Sequence, residues 1–170
     1  MKKIIQLIFP AILIILLSGC GGYEPIFSSK NNVKFIIEDY EVKGDRVIAN
    51  KIYKRLYNTS KTKKLLNTIK EDKNLRKINL FININKSKKA TSKDSSGKTL
   101  EYKITLNSNI QATDFKNNEE IINLHSSISA SYKVQDRYFD TISFERKTEK
   151  DLIDRISQEA LINLSEKLRQ

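Results

Sequence analysis

A chain of 170 residues with 31 Lys and Arg against 20 Asp and Glu carries a formal charge of +11. Its single Cys and single His exclude an intrachain disulfide, a Cys/His zinc site and any site needing two histidines. The charge points to an anionic partner such as nucleic acid, phospholipid or a phosphorylated glycolipid, although a chain rich in Lys, Asn and Ile is equally what an AT-rich genome encodes.

The first element is a leader. Lys2 and Lys3 precede an apolar run of 14 residues, IIQLIFPAILIILL at 4–17, broken only by Gln6 and Pro10. That is the charge, apolar, small-residue order of an export signal, and it is shorter than the roughly 20 residues a spanning helix needs. The quartet Leu17-Ser18-Gly19-Cys20 looks like a bacterial lipobox. There the Cys thiol accepts diacylglycerol, and cleavage makes the Cys the new N-terminus. Cys20 is therefore the expected lipidation site, bearing palmitate-type acyl chains. Two or more chains anchor a protein stably. Gly rather than Asp at position 21 favours the outer membrane of a Gram-negative cell. The expected organisation is a signal peptide over 1–19, a lipidated Cys and tether over 20–32, and one domain over 33–170. Loss of Lys2 and Lys3 with the leader lowers the charge from +11 to +9, and export removes nucleic acid as the expected partner.

Within the domain, VKFIIEDYEV at 33–42 reads as a strand, with Val33, Phe35 and Ile37 alternating. Gly44-Asp45 turns the chain, and Asp45 is placed to cap a helix. Ile48, Ala49, Ile52, Tyr53 and Leu56 form one stripe of a helix ending near Asn58. Residues 59–76 are a Lys-rich connector, with a short helix possible over Leu65, Leu66 and Ile69. Three strands with period-2 patterns follow. In the first, Ile78, Leu80, Ile82 and Ile84 face inward. In the second, Leu100, Tyr102, Ile104, Leu106 and Ile110 do so. In the third, the inward residues are Ile122, Leu124, Ile128, Ala130, Tyr132 and Val134. Turns are expected at 92–98 and 114–120. The segment from Phe144 carries a helical stripe of Leu152, Ile153, Ile156, Ala160, Leu164 and Leu168. The order β-α-β-β-β-α predicts an α+β two-layer domain, with two helices on one face of a four-stranded, mostly antiparallel or mixed sheet. The uncovered face is polar but nearly uncharged, rich in Asn, Ser and Thr. Such a face suits solvent, another protein or a water-filled lumen.

Nothing in this pattern supplies chemistry. His125 falls on the outward face of a strand beside serines. Neither GxGxxG nor GxxxxGK[ST] occurs. The acids of the last helix alternate with Lys and Arg and read as i,i+4 surface pairs. The expectation is a binding or assembly protein, with no catalytic residue, no metal site and no cofactor.

Several segments resemble the LptE family, the RlpB-like lipoproteins of lipopolysaccharide assembly. Tyr23-Glu24-Pro25-Ile26-Phe27 after the lipobox resembles the family's start. The stretch INLFININKSKKATSKDSSGKTLEYKI resembles its strand, basic turn and hairpin, with Gly97, Thr99, Glu101 and Tyr102 matching. SASYKVQDRYFDTISFERKTEKDLIDRISQEALINLSEKL resembles its strand, aromatic turn and long terminal helix. The similarity covers most of residues 20–168. It implies a protein that sits inside the β-barrel LptD at the outer membrane, as plug and assembly partner, and binds lipopolysaccharide on its way to the cell surface. By the same resemblance, Lys93 and Lys98 at the hairpin, and Arg146 and Lys147 before the last helix, are candidates to engage lipid A phosphates. Arg146 matches a basic position of the family's turn, whereas Ser95 stands where a basic residue is common. Tyr138 and Phe139 are expected to pack on the core edge, the alternative being contact with the barrel wall or an acyl chain.

A second reading keeps the anchor and makes the domain a regulator of a periplasmic cell-wall enzyme. A tether of about a dozen residues reaches at most ~40 Å, which favours a partner at the membrane.

Overall fold

The computed structural model describes residues 35–60, 76–116 and 118–168. The leader, Cys20, the tether, and the short helix considered over Leu65, Leu66 and Ile69 lie outside the described residues. The observed order is β1 (Phe35–Gly44), α1 (Arg46–Ser60), β2 (Arg76–Lys93), β3 (Thr99–Asp114), β4 (Glu120–Lys133) and α2 (Tyr138–Lys167). The four strands form one mixed sheet in the order β1-β2-β3-β4. β1 runs parallel to β2, while β2–β3 and β3–β4 are antiparallel. This is the expected α+β arrangement, and it begins as a β-α-β crossover because parallel neighbours cannot be joined by a tight turn.

The strands form where apolar and polar residues alternate. Ile78, Leu80, Ile82 and Ile84 are all buried on the helix-covered face, as are Ile104, Leu106, Ile110 and Ala112 of β3. Each Ile or Leu side chain among them contributes about 1.5–3 kcal/mol when fully buried. α1 adds Ile48, Ala49, Ile52 and Leu56, and α2 adds Leu152, Ile153, Ile156, Ala160, Leu161 and Leu164. α1 lies over β1 and β2, and α2 lies mainly over β4.

Gly44 is required at the exit of β1. Its φ is +70°, and an added Cβ would sit 2.0 Å from the Ile84 carbonyl oxygen. That close approach lets Asp45 N–H donate to the same oxygen at 2.7 Å. Asp45 then caps α1, its Oδ1 accepting the Ile48 N–H at 3.1 Å.

β1 shows the expected alternation at Phe35 and Ile37 but does not continue it, and two other expectations need correction. The register shifts between Ile37 and Asp39, so Phe35 and Ile37 face the core first, and Tyr40 and Val42 align with Leu80 and Ile82 after the bulge. Leu100 is 44% exposed rather than inward, because it lies beside the hairpin tip, beyond the apolar layer. The last helix begins at Tyr138, not near Phe144, so Arg146 and Lys147 lie within it rather than before it.

Candidate functional site at the distal end of the sheet

β1 pairs only with residues 76–84 of β2. The β2–β3 hairpin therefore runs on past β1, flanked by β4 alone. Its tip is built by Asp94. The Oδ1 atom accepts N–H bonds from Ser96 and Lys98, each at 2.9 Å, and the Ser96 hydroxyl at 2.7 Å. Gly97 turns at φ +84° with open space around it, so backbone conformation alone calls for glycine there. The Ser96 hydroxyl bond, aided by the backbone bonds and the nearby Lys98 charge, holds the Asp94 carboxyl below its ordinary pKa against the cost of desolvation.

Below the tip, the inward face of β2 changes from isoleucine to lysine at positions 86 and 88. α2 meets them with Glu149 and Glu145. Lys88 Nζ lies 2.6 Å from Glu145 Oε2, and Lys86 Nζ lies 2.5 Å from Glu149 Oε2. Lys51 of α1 joins Glu149 at 3.0 Å. The Tyr132 hydroxyl donates to Glu145 Oε2 at 2.8 Å. The Lys88 ammonium also lies 4.5 Å from the Tyr102 ring centroid and 5.5 Å from that of Tyr132. The pKa directions follow from this net. Burial disfavours the charge on Lys88, yet its bonds to Glu145 and Tyr132 together hold it above the usual lysine value. Burial would raise Glu145 and Glu149, but the lysines, with Tyr132 at Glu145, pull both below the ordinary carboxylate value. Tyr132 is raised by burial first, and by the neighbouring Glu145 carboxylate, against the Lys88 charge.

The acids of α2 thus do not form the i,i+4 surface pairs expected from their spacing. Glu145 and Glu149 reach across to β2 and α1, and Asp154 pairs with Arg55 of α1 at 2.6 Å.

A cleft of about 420 Å³ opens between the hairpin and the start of α2, lined among others by Lys88, Lys98, Tyr102, Tyr138, Thr141 and Glu145. Tyr138 beside Lys88 and Lys98 makes its lining amphipathic. Tyr138 and Phe139 are 79% and 77% exposed, so they do not pack on the core edge. Thr141 and Glu145 take the sheet-facing side of that first stretch of helix instead: Thr141 Oγ1 accepts the Gln135 N–H at 2.8 Å. Of the four basic candidates, Lys93 and Lys98 lie exposed at the hairpin tip, and Lys98 lines this cleft. Arg146 and Lys147 are exposed on α2. Arg146 lines a separate cleft of about 530 Å³ with Lys51, Arg55, Glu149, Lys150 and Ile153. The structure therefore divides the four candidates between two places. His125 is exposed on the outer face of β4. Among the described residues no three His, Cys, Asp or Glu side chains gather to hold a metal ion. Likewise, no described helix is long and apolar enough to cross a membrane.

No family model and no curated protein matches the sequence. Solved structures do match the fold. A protein from Caulobacter crescentus classed as a lipoprotein superposes with a TM-score of 0.52 at 11% identity, covering 82% of this chain and 93% of that one. A minor lipoprotein from Acinetobacter baumannii superposes with a TM-score of 0.51 at 13% identity, covering 78% and 91%. Rare lipoprotein B from Shewanella oneidensis is more distant, with a TM-score of 0.42 at 12% identity over 77% and 93%. The chain thus has an α+β fold also found in bacterial lipoproteins, a class consistent with its own lipobox.

Proposed function

We propose that this chain is an outer-membrane lipoprotein of LptE type. Held at the periplasmic face by acyl chains on Cys20, it plugs and helps assemble an LptD-type β-barrel and binds lipopolysaccharide as it passes. The observation that carries the reading is the distal end of the sheet. A hairpin tip with Lys93 and Lys98 stands beside a cleft lined by Lys98 and the largely exposed Tyr138, with the equally exposed Phe139 next to it in the chain. That combination suits an amphiphile with anionic phosphates and apolar chains. The lipobox and the shared lipoprotein fold support it. In this reading the protein does no covalent chemistry, uses no cofactor and binds no nucleic acid.

The test is affinity purification of the full-length chain from membranes in mild detergent, with mass spectrometry of what accompanies it. The expected result is a stoichiometric large β-barrel protein. A periplasmic cell-wall enzyme in its place would move the weight to the regulator reading.

A further inference from the structure

The sheet has two outer edges, and they are built differently. On the β1 side, a bulge and the charges of Glu38, Asp39, Glu41 and Lys43 interrupt the edge. Asp39 Oδ1 also takes the Tyr40 N–H at 2.8 Å. Where β1 stops, the uncovered edge of β2 carries Lys86, Lys88, Lys89 and Lys93. Bulges and lysines are the usual means of stopping a strand edge from pairing with another chain. The opposite edge, β4, has neither over most of its length. Between Glu120 and Lys133 it contains no Asp, Glu, Lys, Arg or Pro, and its pairing with β3 is unbroken from Ile122 to Lys133.

The direction of its backbone groups follows from one hydrogen bond. Val134 N–H donates to the Leu100 carbonyl at 2.9 Å, in the same register that pairs Tyr132 with Tyr102. In an antiparallel pair, hydrogen-bonded and non-hydrogen-bonded positions alternate. The even residues of β4 therefore bond to β3. Asn123, His125, Ser127, Ser129, Ser131 and Lys133 turn their N–H and C=O groups to the open edge. Consistent with this, the Lys133 carbonyl is instead taken by the Gln135 side chain at 3.2 Å.

We propose that this β4 edge is a strand-addition site for an extended, uncharged, proline-free polypeptide segment of the partner assigned under Proposed function. The inference rests on that reading and names the surface it uses. An added strand needs backbone donors and acceptors along its whole length, and no charged side chain at 121–132 is present to meet a charge on it. A second copy of the chain fits poorly. α2 lies over β4, and pairing two β4 strands at ~4.8 Å would bring two such helices closer than the 8–10 Å that packed helices require. The segment must be a loop or terminus of the partner, because a closed barrel has no free edge of its own.

The test uses the tagged full-length chain and the barrel recovered with it. Ser127→Pro removes one outward N–H and leaves the β3 ladder intact, a placement edge strands tolerate. Ser127→Ala removes the hydroxyl that donates to Asn107 Oδ1 at 2.7 Å and keeps the N–H. The expected result is at least tenfold less barrel recovered with Ser127→Pro and wild-type recovery with Ser127→Ala. In wild-type complex, amide exchange at His125, Ser127 and Ser129 should slow at least tenfold relative to the free chain, a readout independent of how any variant folds. Undiminished recovery with Ser127→Pro together with unchanged exchange at those amides would overturn the inference and leave the barrel reading standing. Loss of the barrel with Ser127→Ala, with those amides unchanged, would assign the contact to side chains and overturn it too. Absence of any barrel with the wild-type chain would overturn both.

Discussion

From Leu152 onward, α2 meets the sheet with Leu152, Ile153, Ile156, Ala160, Leu161 and Leu164, all buried. From Tyr138 to Glu149, the same helix meets it with Thr141, Glu145 and Glu149, and the sheet answers with Tyr132, Lys86 and Lys88. The first contact is non-directional and tolerates any pH. The second is directional, half-buried and dependent on charge. Its net worth is small, because desolvation offsets much of the attraction, but it fixes where the helix lies over the distal hairpin.

Breaking the apolar half should cost most. Ile156→Ala empties a fully buried position and should lower stability by about 2–5 kcal/mol, read as a fall in the denaturant midpoint of the mature domain. Gly44→Ala tests the crossover on the same half. Left-handed strain costs about 1–3 kcal/mol, and the 2.0 Å approach to Ile84 O forces a backbone shift besides; thermal unfolding would register both.

The polar half should respond less, and in another way. Glu149→Gln breaks contacts to Lys86 and Lys51 and should cost about 1 kcal/mol, discounted because the lysines are partly exposed. It should also change the acid limb. Glu145 and Glu149 are held below their ordinary value of 4.5, so the stability they add is complete above that value. It is lost as pH falls through the lower folded values. The variant should show a shallower loss of stability over that acid range, with little change near neutrality beyond the fixed offset. An identical acid limb in wild type and variant would show that the charge net does not hold the helix. Smallest of all, the double variant Tyr138→Ser, Phe139→Ser should leave stability within about 0.5 kcal/mol, since both rings are largely exposed.

The same contrast explains what was legible in the sequence. Period-2 isoleucines in β2 and β3 and the stripe from Leu152 announce apolar contacts, and they fold where they were expected. The first turns of α2 were missed because their buried side is polar. Thr141, Glu145 and Glu149 give no hydrophobic stripe, while the exposed Tyr138 and Phe139 imitate a core contact. The pairing of Glu145 with Lys88 joins residues 57 apart, so local charge spacing suggested i,i+4 pairs instead. The bulge after Ile37 left no mark that alternation alone could reveal. The basic candidates Lys93, Lys98, Arg146 and Lys147 were all found exposed, but no sequence pattern showed that a helix starting at Tyr138 would separate the two pairs.

Everything proposed about location and partner depends on the anchor. The most direct test is the intact mass of the chain extracted from membranes, with its N-terminal peptide. The expected result is a chain beginning at Cys20 and carrying a diacylglyceryl group with a further acyl chain, and a Cys20→Ala variant that is no longer lipid-modified. A membrane-extracted chain that retains residues 1–19, or one cleaved elsewhere without lipid, would contradict it.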